Sequence, residues 1–333
     1  MFHDELVAIR RDIHAHPELG FQEVRTSAMV ARMLQALGYQ VHTGIGRTGV
    51  VGVLEGKAND SGRSIGLRAD MDALPIHETG TQPYRSTRPG VMHACGHDGH
   101  TAILLGAARY LAETRNFNGR VVLIFQPAEE GLGGAQAMLD DGLFERFHCD
   151  AVYALHNWPG LPPGVIGVNP GPMMAAADQF SIQIHGKGGH GAHPYQTNDP
   201  VVIAAQLVTA LQTIVSRNVP APDAAVLTIA AVTAGRIDAM NVIPHDARMV
   251  GTVRTFSPVV QEQIATRMQE VVDGIASAFR ARIELEYTRM FPATINTPSH
   301  AEMVVDVATE LFGADRVVPD LQPSMGSEDF SFM

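Results

Sequence analysis

Apolar residues recur at helical spacing over Asp4 to His14 and Val24 to Leu37, with Gly38 standing where a helix stop belongs. Two amino-terminal helices are predicted. The pattern then changes to short apolar or β-branched runs, Gly49 to Leu54, Ser64 to Arg68, Val121 to Phe125 and Ala151 to Leu155, interleaved with helical stretches at Thr101 to Thr114 and Ala135 to Leu139. Such alternation predicts an α/β sheet with crossovers. The unbroken VVLIF at 121–125 suits a strand covered on both faces.

Near Gly171-Pro172 the pattern changes again. From Gln179 the expected order is strand (QFSIQIHG), helix (Val201 to Val215), strand (Ala225 to Thr233), strand (Ala247 to Arg254), helix (Val259 to Phe279) and strand (Arg282 to Tyr287). The order βαββαβ is that of a ferredoxin-like unit. A small-residue hinge, Met174 to Asp178, precedes it; Phe291-Pro292 follows it, after which a helix over His300 to Phe312 resumes the first pattern. The fold expected is α/β, a large domain of residues 1–178 plus 290–333 built on a mixed sheet flanked by helices, with an inserted ferredoxin-like α+β domain at 179–289. A chain of 333 residues suits two domains at roughly 100 to 200 residues each.

Composition narrows the function. Lys and Arg total 24 against 35 Asp and Glu, a net charge of -11, which argues against a nucleic acid or an anionic membrane as partner because both need a basic face. Two cysteines, Cys95 and Cys149, make no disulfide framework and agree with a reducing compartment. The charged amino terminus has no signal-peptide core, and no stretch is read as approaching the roughly 18 apolar residues of a membrane span. A cytoplasmic protein is expected.

Candidate chemistry concentrates in three places. HACGHDGH at 93–100 packs three of the chain's 15 histidines and Cys95 into eight residues. In extended chain Cys95 and His97 point to the same side, and a thiolate with an imidazole suits zinc or another transition metal; the plainer reading is a small buried Cys among surface imidazoles. QPAEEG at 126–131 follows the apolar strand 121–125 and sets two carboxylates at a strand's carboxyl end, where open α/β sheets place their sites. Adjacent residues face opposite ways and can divide the work, Glu130 as a metal ligand and Glu129 as the base that takes a proton from water. A solvated acidic turn is the alternative. His156, in ALHNW at 154–158, again ends a strand-like run and is either a ligand or a histidine packed beside the chain's single Trp.

The stretches LRADMDALPI (67–76), HACGHDGH, FQPAEEG, ALHNWP, GKGGHGAHP (186–194), NVIP (241–244) and GSEDF (326–330) occur in one order, and with the opening HAHPELGFQE (14–23) they span essentially the whole chain. Together they resemble the amidohydrolase branch of the dinuclear-metal aminoacylase and carboxypeptidase family, which holds hippurate hydrolases, N-acyl-L-amino acid amidohydrolases and auxin-conjugate (IAA-amino acid) hydrolases. The resemblance implies a phosphorylase/hydrolase-like catalytic domain with the insert as lid and dimerisation domain. It implies metal ligation by Cys95, His97, Glu130 and His156, with Glu129 as general base, Asp72 supporting the site, and Asp70 standing where other branches carry a ligand. It further implies that His190 reaches the substrate carbonyl, in many members across a dimer interface, and that Asn241 and Arg254 contact the substrate carboxylate.

The activity so implied is hydrolysis of N-acyl or N-aroyl amino acids with two divalent ions per subunit, manganese or zinc, with cobalt or nickel also open. The partners expected are the small-molecule substrate and a second copy of the chain. A metallo-carboxypeptidase or dipeptidase on the same scaffold is the near alternative. In the family a last His ligand follows GSEDF in an L-H-N-P-type segment, and this sequence ends at Met333 without one. The expectation is a shortened chain or a defective copy whose second metal site lacks one ligand, and in the extreme a non-catalytic binder of metal or acyl amino acid.

Overall fold

The computed structural model describes residues 2–333, and the chain divides into two compact units, Met1–Leu161 with Phe332–Met333, and Pro162–Ser331. In the first, helices α1 (His3–Ala15) and α2 (Val24–Ala36) precede strands β1 (Gln40–Ile45), β2 (Gly49–Glu55) and β3 (Ser64–Asp70). Helix α3 (His97–Thr114), strand β4 (Arg120–Gln126), helices α4 (Gly134–Asp140) and α5 (Leu143–Arg146) and strand β5 (Ala151–Ala154) complete it. The sheet order is β1-β2-β4-β3-β5; β3 runs parallel to β4 and β5, and β2 is antiparallel to β1 and β4.

Both faces of this mixed sheet are covered, which explains the unbroken apolar run of β4. Val121, Leu123 and Phe125 pack with Val30 and Leu34 of α2 and Leu104 and Leu105 of α3. Val122 and Ile124 point the other way, onto Met138, Leu143 and Phe147. Strand β1, by contrast, was not expected. It is an edge strand with half its residues exposed, and only Val41 and Ile45 among its six residues carry large apolar side chains.

The second unit contains β6 (Ile166–Gly167), β7 (Pro172–Met174), β8 (Ala176–His185), β9 (Gly189–His190), α6 (Pro200–Arg217), β10 (Ala225–Ala234), β11 (Val242–Ile243) and β12 (Asp246–Thr255). After these come α7 (Pro258–Phe279), β13 (Arg282–Phe291), β14 (Thr294–Ile295), α8 (Pro298–Phe312) and β15 (Val317–Val318). Its antiparallel sheet, β10-β12-β8-β13, carries α6 and α7 in the βαββαβ order read from the pattern. Each helix starts on a capping side chain followed by proline: Asp199 accepts from the Val201 N–H and Ser257 from the Val260 N–H. Their apolar faces meet Ile182, Ile184 and Met249 of the sheet in one core.

One expectation is corrected here. Helix α6 is long and apolar enough to cross a membrane by length and composition, because Pro200, Ile203, Ala204, Leu207, Leu211 and Ile214 supply a core-facing stripe and further apolar residues lie outside it. These six, a third of the helix, are buried within the unit.

Candidate metal centre

Strands β4, β3 and β5 are neighbours and parallel, so their carboxyl ends open on one edge of the sheet. Register sets Asp70 beside Gln126 and Arg68 beside Ala154. The residues just beyond these pairs are Asp72, the Glu129–Glu130 pair and His156, and the first turn of α3 brings His97 to the same place. This is the topological position at which open α/β sheets bind ligands.

Asp72 organises the group. Its buried carboxylate accepts the N–H of Glu129 at 3.0 Å and of Glu130 at 3.0 Å, and faces Nδ1 of His97 at 3.2 Å. With the proton of His97 held on Nδ1, the lone pair lies on Nε2, and that atom is buried with no hydrogen-bond partner among the described residues. Oε1 of Glu130 is likewise buried and unpartnered, 3.9 Å from Nε2. Oε2 of Glu129 is also 3.9 Å from that nitrogen. Buried polar atoms left without a partner, such as His97 Nε2 and Glu130 Oε1, are costly unless a proton or a cation lies between them.

On the other side of His97, Sγ of Cys95 lies 3.3 Å from Nε2 of His156. The His156 Nδ1–H donates to the carbonyl of Asn157 at 2.6 Å, which turns Nε2 toward the thiol as an acceptor. Two sets, Cys95/His97/His156 and His97/Glu129/Glu130, each present ligand atoms within 4.8 Å of one another. That spacing suits a cation about 2.0–2.3 Å from each donor. The residues therefore fit a metal, with His97 shared by both sets.

Electrostatics agree. Burial favours the neutral form of Asp70, but His97, Arg68 and His100 hold its carboxyl well below the usual range. Burial opposes the His97 imidazolium as well, and Asp70 and Asp72 overcome it, raising His97 well above the ordinary histidine value. Burial pushes the Cys95 thiol and the Glu130 carboxyl up. The pocket thus demands positive charge.

Sequence reasoning passed over the scaffold behind these residues. His100 gives its Nδ1–H to Asp70 at 2.7 Å and accepts the N–H of Asn157 on Nε2 at 2.9 Å, so neither nitrogen has a lone pair left for a cation. The Asn157 side chain donates to the Cys95 carbonyl at 2.6 Å, tying the loop that carries Cys95 to the one that carries His156. Arg68, buried in β3, binds Asp70 at 2.7 Å and Gln126 at 2.8 Å. The available signals were an Arg inside an apolar strand and a His one helical turn after His97.

In the second unit, the two-stranded antiparallel pair of β9 and β11 sets His190 beside Val242, and the Gly191 N–H donates to the Asn241 carbonyl at 2.7 Å, so His190 and Asn241 stand together. The Ala192 N–H donates to His190 Nδ1 at 3.1 Å. This keeps the His190 proton on Nε2, an exposed donor. Arg254 is elsewhere. It pairs with Ala177 near the start of β8, whereas the β9–β11 pair adjoins the His185–Asp246 pair at the other end. Eight residues of strand, about 26 Å, separate these two pairs. The Arg254 guanidinium rests on the Thr252 hydroxyl and the Val253 carbonyl, and burial lowers its pKa.

Residues 66–333 match the model of peptidase family M20/M25/M40. The hippurate hydrolase of Campylobacter jejuni is 46% identical over 328 residues, 98% of this chain and 84% of that protein. Thermostable carboxypeptidase 2 of Saccharolobus solfataricus is 40% identical, over 98% of this chain and 82% of its own length. The crystal structure of the Bacillus subtilis YXEP protein, a dinuclear metal binding peptidase, superposes with a TM-score of 0.84 at 37% identity, covering 99% of this chain and 85% of that one. With its carboxylate, imidazole and thiol groups gathered at the strand ends and these matches along nearly its whole length, the chain belongs to peptidase family M20/M25/M40.

Proposed function

We propose that the protein is a metal-dependent amidohydrolase that cleaves N-acyl or N-aroyl amino acids of the hippurate type to a carboxylic acid and a free amino acid. The observation that carries this reading is the pair of unpartnered buried atoms, His97 Nε2 and Glu130 Oε1, with the Glu129 carboxylate beside them. Similarity to a hippurate hydrolase supports it. Cys95, His97, Glu130 and His156 are the proposed ligands of two divalent ions, manganese or zinc, with cobalt and nickel also compatible with this donor set. Such ions supply Lewis acidity, polarising the amide carbonyl and lowering the pKa of water.

The chain's own groups do the rest. Glu129 accepts a proton from the attacking water and returns it to the amide nitrogen as the C–N bond breaks and a C–O bond forms. Asp72 holds Glu129 by its backbone N–H, so the base cannot drift from His97. His190, with its proton on Nε2, donates to the carbonyl oxygen as that oxygen takes on negative charge. Arg254 grips the substrate carboxylate through paired hydrogen bonds, which favours free acids over esters or amides, and Asn241, which stands beside His190, reaches the same substrate only from the partner subunit.

No N-acyl amino acid spans the length of strand between Arg254 and the β9–β11 pair that carries His190. We therefore infer a homodimer in which one substrate meets Arg254 of one subunit and the partner subunit's His190. Residues 179–289 are the proposed lid and dimerisation insert between the catalytic segments 1–178 and 290–333, a reading supported by the closed core of α6, α7 and the antiparallel sheet. We place the enzyme in the cytoplasm on its acidic charge and sparse cysteines. A second reading, a carboxypeptidase, is favoured by the likeness to thermostable carboxypeptidase 2; it needs the same free carboxylate beside the scissile amide.

Three outcomes are expected. Glycine release from hippurate by the manganese- or zinc-loaded protein falls at least about 100-fold in Glu129→Gln with metal content unchanged; a panel of N-acyl amino acids and peptides decides between the two readings, and loaded wild type inactive on all of it is a binder only. Calorimetry of Mn2+ binding in buffers of different ionisation enthalpy detects proton release. Because the pKa values of His97, Cys95 and Glu130 are raised and each must lose its proton to bind, affinity rises with pH through and above the ordinary histidine range, and a pH-independent affinity contradicts this ligand set. Finally, His190→Ala and Arg254→Ala are each inactive, yet an equal mixture of exchanged subunits regains about a quarter of wild-type turnover, since half the dimers carry one intact site of two; no recovery after verified exchange contradicts a shared site.

A further inference from the structure

Glu23 lies 105 residues before Ala128 and touches none of the proposed ligands in its hydrogen bonding, yet it is fully buried and its carboxylate is committed. Oε1 accepts the Ala128 N–H at 2.8 Å, and Oε2 accepts the Thr48 hydroxyl at 2.6 Å. Ala128 is itself unusual. It is fully buried and has φ +53, a left-handed conformation that residues other than glycine seldom adopt.

That conformation turns the chain immediately before Glu129 and Glu130, whose N–H groups then both reach Asp72. The segment carrying Glu23 is built against the turn. A methyl group on Gly20 would lie 3.0 Å from both Cα and Cβ of Ala128, so only glycine lets the segment come this close. The Ala73 N–H donates to the Glu18 carbonyl at 2.8 Å, pinning the segment to the strand end that bears Asp72. The Glu18 carboxylate in turn accepts the N–H groups of Arg25 and Thr26 at the start of α2. The opening motif HAHPELGFQE thus reaches the acid pair from behind.

We propose that Glu23 is a positioning residue for the acid pair, holding the left-handed Ala128 turn through its N–H so that Glu129 and Glu130 face His97. The proposal rests on the reading of Glu129 as base and Glu130 as ligand. Removing the acceptor leaves a buried N–H unpaired, and the turn relaxes toward the right-handed conformation alanine prefers. Glutamine keeps an acceptor oxygen for Ala128, and the Thr48 hydroxyl can rotate to accept from its amide.

The test compares Glu23→Ala, Glu23→Gln and Ala128→Gly, alone and combined, by three readouts: kcat and KM on hippurate, affinity for Mn2+, and amide hydrogen exchange over residues 126–131. Glu23→Ala is expected to lower kcat or Mn2+ affinity about 10- to 100-fold, with KM little changed and exchange accelerated at 128–130 but not in β4. Glu23→Gln restores most of both. The loss is smaller in the Ala128→Gly background, because glycine takes the left-handed turn unaided. Unchanged exchange in Glu23→Ala, a glutamine variant as impaired as the alanine one, or an identical loss with Gly at 128 overturns the proposal. Should Glu23→Ala fail to fold, Gly20→Ala pushes on the same turn, and unchanged exchange and kcat there overturn it equally. If instead Glu129→Gln retains turnover, the base assignment fails, while exchange and Mn2+ affinity still decide the role of Glu23.

Discussion

Four carboxylates, Asp70, Asp72, Glu129 and Glu130, gather at the ends of two adjacent parallel strands, β3 and β4, with Asp70 and Asp72 almost entirely out of water. Buried negative charge must be paired, hydrogen-bonded or neutralised, and the surrounding structure is organised by that requirement. Asp70 is satisfied within the protein by Arg68 and His100. Asp72 spends its oxygens on two backbone N–H groups and one imidazole. What remains unneutralised is aimed inward at the Glu130 oxygen, the His97 nitrogen and the Cys95 sulfur.

The division of labour between adjacent glutamates depends on a backbone device rather than on side-chain chemistry. In a regular strand Glu129 and Glu130 would point to opposite faces. Here the left-handed Ala128 ends the strand, and one carboxylate, Asp72, holds both following N–H groups. Both side chains then come to lie 3.9 Å from the same His97 nitrogen. Helix α3 contributes at the same point, because its first turn carries His97 and, one turn later, the His100 that fixes Asn157 and through it the Cys95 loop.

Much of this was legible in the sequence, for physical reasons that also explain what was not. The β4 run was readable because both faces of the sheet are covered, and the βαββαβ order because α6 and α7 are long, periodic and capped. Cys95 and His97 stood out by the density of imidazole and thiol in HACGHDGH, and Glu129, Glu130 and His156 by residue type at strand ends. Glu23, Arg68, His100 and Asn157 did not, since their work is to hold other groups across separations of up to 105 residues. Pairing of that kind leaves no local periodicity. Two-residue strands such as β9 and β11 are too short to alternate, so the pairing that joins His190 to Asn241, and its distance from Arg254, emerged only in three dimensions.

The central claim is that a cation completes the charge of this pocket with Cys95 among its ligands. X-ray absorption spectroscopy of the zinc-loaded protein tests it most directly. The account predicts one sulfur scatterer at about 2.3 Å together with imidazole nitrogen at about 2.0 Å, the sulfur vanishing in Cys95→Ser. A shell of nitrogen and oxygen alone, unchanged by that substitution, would contradict it.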